Sequence, residues 1–485
     1  MPGPLDDVLD LDATGQAAVL RDGHVGAHEL LEAALARIDA RDPHLNSVIH
    51  RLDDRARSAV RDGLPDGPFT GVPMLVKDAV CHTAGDPYHL GMRVLRDAGW
   101  IEPTDAALAR RFRAAGFVIC GKTNLPELAM MVTTEPLAYG ATHNPWDLGR
   151  SPGGSSGGSG AAVAARLVAV AHGNDMGGSI RIPASMCGVV GLKPTRARTS
   201  LGPSLGEYWA MTTHEFVLVR SVRDAAGILD AVAGSEPGDP YTAPPPSGPW
   251  SAEVGAPPGS LRIALRTRGR SDLAPTHPDC VAAADLTAEL LVELGHHVER
   301  VDAPLLDDPA VGHAQGVLFT ASIARDIARW EARLGRPIDL AELEPYNAMM
   351  TEVGRAVRAV DYIGAVEAAQ SWTRRAAALW HAPDGGFDLL VTPTLSEPPI
   401  PLGELAPNAL PEGDAMARAA GITQFVGPFN LSGQPAMSLP MHWNDAGLPI
   451  GVQLVAATGR EDVLLRVGAQ LEAAAPWADR QPPHN

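Results

Sequence analysis

The chain has 485 residues, 45% of them hydrophobic and 20% charged, enough to bury a large core. Its formal net charge is −18, and no Lys/Arg run is present to follow a phosphate backbone, which argues against nucleic acid as a direct partner. No run of about 18 uncharged apolar residues is present either, so no membrane span is expected.

The N-terminal stretch MPGPLDDVLDLDATGQ carries acidic residues where a secretory leader needs basic and then apolar ones. Cys81, Cys120, Cys187 and Cys280 lie far apart without a Cys-x-x-Cys pair, the pattern of buried apolar residues in a reducing compartment. The expectation is a cytoplasmic protein. Apolar residues then recur at helical spacing over 25–62, where Pro43 is expected to break the run into two helices. GVPMLVKDAV (71–80) reads as a buried strand ending in Lys77 and Asp78. ALARRFRAAG (107–116) reads as a helix closed by Gly116, and FVICGKT (117–123) as the strand after it. SPGGSSGGSG (151–160) is a Gly/Ser loop, and AAVAARLVAVAHG (161–173) reads as a helix beginning where it ends.

GVVGLKPT (188–195) reads as a strand and SVRDAAGILDAVAG (221–234) as a helix. The proline-rich stretch 237–250 reads as a loop or linker. Beyond it, LRIAL (261–265), a helix over about 278–294 and HHVERVD (296–302) form a strand–helix–strand unit. FDLLVTPT (387–394), PAMSLP (435–440) and PIGVQLVA (449–456) read as strands, the last two joined by a DAG turn. EDVLLRVGAQLEAAA (461–475) is the closing helix. Strands and helices alternate, which predicts an α/β protein with a central sheet.

One motif is rejected on its context. GFVICGKT (116–123) matches the phosphate-loop pattern letter for letter, but a helix precedes it and Pro126 follows Lys122 closely. Phe117, Val118, Ile119 and Cys120 belong in a strand, not in a phosphate cradle.

The chemistry gathers in three places. The Gly/Ser loop holds G-x-S-x-G twice, centred on Ser155 and Ser156. The segment leading in, NPWDLGRSPGG, is polar and turn-rich where a nucleophile elbow needs a strand; His214, His277 and His296 are the available partners. A second cluster, HGNDMGGSIRIPAS (172–185), offers the backbone amides of Met176, Gly177, Gly178 and Ser179 with little side-chain bulk between them. Such a turn can aim several N–H groups at one oxygen while Ser179 attacks the carbonyl. A serine needs a base, and Lys77 qualifies because the apolar run VPMLV carries it inward, where desolvation disfavours the ammonium.

Lys77 in GVPMLVKD, Ser155 in SPGGSSGGSGAAVAA and Ser179 in GNDMGGSIRIPASMCGVVGLKPT, in that order, resemble the amidase signature family. GKTNLPELA (121–129), NPWDLGRS (144–151), SVRDAAGILD, DLLVTPT and PFNLSGQPAMSLP extend the resemblance from about residue 25 to 475, most thinly over 300–385. It implies the amidase signature fold, a central mixed twisted sheet covered by helices on both faces. The catalytic domain is expected over 66–485, with an N-terminal helical segment, 1–65, packed on it. It also implies Ser179 as nucleophile, Ser155 on a cis peptide bond as the bridging serine, and Lys77 as general base. The amides of Met176, Gly177, Gly178 and Ser179 would form the oxyanion hole, braced by Asp175 and Arg181.

The implied reaction is hydrolysis of a small-molecule amide through an acyl-enzyme, with no metal and no cofactor, in a protein that can form a homodimer. Asn174 stands where many members have Thr, and Met176 where Ile is common; both keep the polar or apolar character. TTEP (133–136), HGND (172–175) and GREDVLL (459–465) are similar to the branch acting on cyclic dimers of 6-aminohexanoate and related nylon oligomers. The alternatives are a broad-specificity aliphatic or aryl amidase or esterase, and a non-catalytic amidase-like subunit. Phe319, Trp330 and Tyr346 are the pocket candidates, Phe319 foremost.

Overall fold

A computed structural model describes residues 4–270, 272–382 and 385–484; residues 1–3 of the N-terminal stretch read above lie outside it. Helices α1 (Pro4–Asp10), α2 (Ala13–Arg21) and α3 (Ala27–Leu45) open the chain. Pro43 does not break α3. It sits in the last turn, where its missing N–H removes one bond, and the helix ends at Asn46 in the left-handed conformation, φ 52°. The rest of that run first makes strand β1 (Val48–Arg51) and only then α4 (Asp53–Asp62).

Strand β2 (Pro73–Lys77), α5 (Arg93–Asp97), α6 (Ala107–Ala114) and β3 (Val118–Thr123) follow, so VICGKT of the phosphate-loop match is a strand, as its apolar residues require. The next segment departs from expectation. Helix α7 (Gly157–Ala164) begins inside the Gly/Ser loop and stops early, and β4 (Val170–Asp175) takes the place of the helix expected up to 173. Arg166, at φ 58°, turns the chain between them. Every residue of β4 is buried, and a short apolar run of that kind suits a central strand as well as a helix.

Helix α8 (Arg181–Cys187), β5 (Val190–Lys193), β6 (His214–Val219), α9 (Val222–Val232), β7 (Arg262–Leu265), α10 (Pro278–Glu293) and β8 (His297–Arg300) come next. Residues 235–249, after α9, hold no helix or strand. The region of thinnest resemblance is helical: α11 (Pro309–Leu334), α12 (Pro345–Arg355), α13 (Ala359–Ala376) and α14 (Ala378–His381). The chain closes with β9 (Leu389–Pro393), α15 (Glu412–Ile422), α16 (Pro428–Ser432), β10 (Ala436–Trp443), β11 (Pro449–Ala456) and α17 (Glu461–Ala474).

All eleven strands join one mixed sheet in the order β1-β3-β2-β4-β6-β5-β10-β11-β9-β7-β8. Strands β3, β2 and β4 run parallel, as do β9, β7 and β8. The remaining neighbours are antiparallel. Strands β2, β4, β5, β6, β9 and β11 are buried along their whole length, so helices cover both faces of the sheet.

This topology positions the polar cluster. Because β2 and β4 are parallel neighbours, their C-terminal ends open side by side, the usual place for a site in an open α/β sheet. Lys77 is the last residue of β2; Asn174 and Asp175 are the last two of β4. The 151–156 segment runs over these ends into α7, which packs on α8.

Gly158 lets α7 come this close: a Cβ there would lie 2.5 Å from Asn124 N and 2.6 Å from Ser47 O, both backbone atoms. Gly158→Ala should therefore destabilise by about 1–3 kcal/mol, as overpacking does, and lower the apparent Tm by several degrees in calorimetry. Gly177→Ala, whose added carbon meets nothing within 4 Å, should leave the Tm in place.

Candidate active site

Lys77 is fully buried, and no carboxylate pairs with it among the described residues. Its Nζ lies 2.7 Å from Ser155 Oγ, 3.0 Å from Ser156 Oγ and 2.5 Å from Asn174 Oδ1. Burial pulls its pKa down to about 7, against a weaker upward pull from the charges of Glu215 and Asp175. Near neutral pH a large fraction of Lys77 is thus uncharged amine, with two N–H donors and one lone pair.

The neighbours decide where that lone pair points. Asn174 Nδ2 donates to Ala79 O at 3.3 Å, which fixes the amide so that its oxygen faces Lys77 and accepts. Ser156 Oγ donates its proton to Asn174 O at 3.2 Å, so toward Lys77 it also accepts. Both N–H groups are then used. The lone pair is left for the hydroxyl proton of Ser155, which makes Ser155 the group this amine can deprotonate. The Gly154–Ser155 peptide bond is cis.

Ser155 and Ser156 are wholly buried, whereas Ser179 keeps 8% of its surface and lines a cavity of about 420 Å³. The Ser156 amide donates to Ser179 O at 3.3 Å, tying the two Gly/Ser segments together. Ser179 therefore meets the cavity while Ser155 stands behind, against the lysine. The three histidines lie elsewhere: His214 Nδ1 bonds Thr212 O, His277 caps α10, and His296 bonds Gln470. Among the described residues none is hydrogen-bonded to Ser155, Ser156 or Ser179, which leaves the elbow arrangement without a base.

Asp175 and Arg181 form a bidentate pair, Nε to Oδ2 and Nη2 to Oδ1, both at 2.9 Å and both residues fully buried. Arg181 also donates to Gln453 Oε1, Asn430 Oδ1 and Val426 O, so the pair is satisfied all round. The guanidinium holds the Asp175 carboxyl far below the usual carboxylate range, although burial opposes this. Asp175 also accepts the amides of Gly178 at 2.7 Å and Ile180 at 3.2 Å, which shapes the turn before α8.

The Gly178 amide is committed to that carboxylate. This narrows the expected four-amide nest to Met176, Gly177 and Ser179, whose N–H groups meet no internal backbone acceptor among the described residues. Gly178 itself, at φ 128°, admits no side chain: a Cβ would lie 2.5 Å from Val426 Cγ2.

The cavity at Ser179 lies between the 129–132 segment, α11, α12 and α15. Phe319 and Tyr346 line it. Trp330 does not; it is buried against Trp100 and Arg333, a packing residue. The sequence reading missed Trp209 and four methionines, Met130, Met131, Met350 and Met416, which with Met176 supply much of the wall. Methionines scattered between Met130 and Met416 carry no local pattern. A different signal was available for Lys77: of 39 Lys and Arg side chains only Lys77, Lys122 and Lys193 are lysine, and all three are buried. Lys122 differs from Lys77 in having a carboxylate, Asp78, at 3.3 Å.

The Amidase family model matches residues 29–465. The chain belongs to the amidase family. It is 44% identical over 478 residues to 6-aminohexanoate-cyclic-dimer hydrolase of Paenarthrobacter ureafaciens, covering 97% of this chain and 96% of that one. The structure of a 6-aminohexanoate cyclic dimer hydrolase superposes with a TM-score of 0.94 at 43% identity, over 98% and 99% of the two chains. Peptide amidase from Stenotrophomonas maltophilia superposes with a TM-score of 0.79 at 28% identity, over 98% of each. This amidase is accordingly an amide-hydrolysing enzyme with an amidase signature fold.

Removing Arg181 from the amidase would leave Asp175 charged, buried and unpaired. Arg181→Met should cost about 3–5 kcal/mol, read as a large drop in the denaturation midpoint. Arg181→Lys should fall between, because an ammonium restores the charge but not the bidentate fork.

Proposed function

We propose that this amidase hydrolyses its substrate through Ser179, with Ser155 as proton relay and Lys77 as general base, and that 6-aminohexanoate cyclic dimer and related nylon oligomers are its substrates. The observation that carries the mechanism is the Lys77 cage, in which one lone pair remains and Ser155 is the hydroxyl that meets it.

Uncharged Lys77 takes the proton of Ser155 as Ser155 takes that of Ser179, and Ser179 Oγ bonds to the amide carbon. The carbonyl oxygen, now negative, faces the amides of Met176, Gly177 and Ser179. The proton returns through Ser155 to the leaving nitrogen, the C–N bond breaks, and the amine departs from an acyl-enzyme on Ser179. Water repeats the cycle in place of Ser179 and releases the acid. A returning proton suits amides, because an amine leaves only once it is protonated. No step calls on a metal or cofactor.

Two observations support the substrate. Two of the relatives named above act, by their names, on 6-aminohexanoate cyclic dimer. The cavity wall of methionines is unbranched and pliable, suited to polymethylene chains that lack a fixed shape. The second reading, a broader aliphatic or aryl amidase, uses the same mechanism and differs only in what the cavity admits.

Hydrolysis of the cyclic dimer, the linear dimer and an aryl anilide by wild type, Ser179→Ala and Lys77→Met tests both parts. Wild type should open the cyclic dimer, and each variant should lose about 10⁴-fold or more on every amide cleaved. Full activity in Ser179→Ala would overturn the mechanism; cleavage of the anilide alone would overturn the substrate. The pH dependence has a definite sign. Below about 7 Lys77 is an ammonium without a lone pair, so kcat/KM should fall about tenfold per pH unit on the acid side and level off above.

A further inference from the structure

Beside the substrate cavity lies a small second pocket of about 30 Å³, room for one or two water-sized groups. Met130, Met131 and Tyr346 line both, so the two adjoin. The orphaned polar atoms on its lining residues are acceptors. Glu127, 1% exposed, receives the Glu344 amide at 2.7 Å and Asn347 Nδ2 at 2.9 Å on Oε2, while its buried Oε1 has no partner. Asn347, 2% exposed, directs its amide nitrogen to Glu127 O and Oε2, which leaves its buried Oδ1 without a donor. Glu344 adds a second carboxylate, fixed by the Leu137 amide at 2.7 Å.

None of these carboxylates has an ion-pair partner among the described residues. Glu135, also on the wall, accepts from Thr133 and the Gly403 amide. Glu412, from α15, lines the same pocket. Arg93 lends its field from α5 but points its guanidinium at the carbonyls of Glu342 and Leu343. Burial raises the pKa of both Glu127 and Glu344, and the charge of Glu127 raises Glu344 further. Buried acceptors left unpaired are costly, and an ammonium relieves both the missing bonds and the repulsion.

We propose that this pocket is a subsite for the primary ammonium group at the end of an aliphatic chain lying in the substrate cavity. An ammonium has three donors and no acceptor, and meets Glu127 Oε1, Asn347 Oδ1 and the Glu344 carboxylate. The role of the subsite rests on the reading of Ser179 as the acylated serine and of a cyclic diamide as substrate. When such a ring opens, the leaving nitrogen stays joined to the acyl-enzyme by the rest of the molecule. As a free amine it attacks the ester and recloses the ring. With a proton taken from water it has no lone pair, and the subsite keeps it charged and away from the ester until water attacks.

Calorimetric titration of the full-length protein at pH 7 with hexylammonium chloride and with 1-hexanol tests this without relying on turnover. Wild type should bind the ammonium at least about tenfold more tightly than the alcohol of similar length, and Glu127→Gln and Glu344→Gln should each bring that ratio to about 1. Equal binding of the two by wild type, or an unchanged ratio in Gln variants that circular dichroism shows to be folded, would overturn it. If wild type prefers the ammonium yet leaves the cyclic dimer intact, the subsite stands and that substrate falls. If it opens the cyclic dimer but shows no preference, the subsite falls and the substrate stands.

Discussion

A lysine amine held in the interior without a carboxylate is the constraint on which this site depends. Lys77 is an effective base only if it loses its proton near neutral pH, and burial supplies that pressure. Its neighbours are neutral, two hydroxyls and an amide oxygen, which satisfy the amine without locking it as a cation. The two carboxylates whose fields reach it are engaged elsewhere. Glu215 faces His172 at 3.2 Å, and Asp175 is gripped by Arg181. The Asp175–Arg181 pair therefore has two effects. It shapes the turn that presents Ser179, and it neutralises an anion that would otherwise keep Lys77 charged.

The sheet provides the geometry this chemistry requires. Parallel pairing of β2 with β4 brings Lys77 level with Asn174 and Asp175 from a stretch of chain nearly a hundred residues away. Two Gly/Ser segments then close over the strand ends for different reasons. Around Gly158 the need is closeness, because backbone atoms of Asn124 and Ser47 occupy the place of a side chain. Around Gly178 the need is a left-handed turn that offers one amide to Asp175 and leaves its neighbours facing the cavity.

Much of this was legible in the chain, and the reasons differ by segment. Lys77, Ser155 and Ser179 stand in short motifs whose order resembles that of the amidase signature family, and it was that resemblance which pointed to Asp175 and Arg181. The strands after 261 stood out because their apolar runs are bounded by prolines, glycines and acids. Segment 161–173 misled because Ala, Val and Leu serve a buried helix and a buried strand equally, and only pairing with β6 settles the matter. Strands β1 and β6 went unread because VIHR lies inside a run of helical spacing and HEFVLV opens on two polar residues. The cavity wall was hidden for another reason. Met130, Trp209, Met350 and Met416 converge from four separate parts of the chain, and convergence has no local signature. Asn174 was visible as an unusual residue, but its contact with Lys77 was not.

The most direct test of this account is the proton affinity of Lys77 itself. With only three lysines in the chain, protein labelled with carbon-13 at lysine Cε gives three signals, and Lys77→Met identifies one of them. That signal should titrate with a midpoint near pH 7, the value burial imposes on Lys77. A Lys77 signal that stays in the ammonium form beyond about pH 9, as an ordinary lysine does, would contradict the account and remove the base from its mechanism.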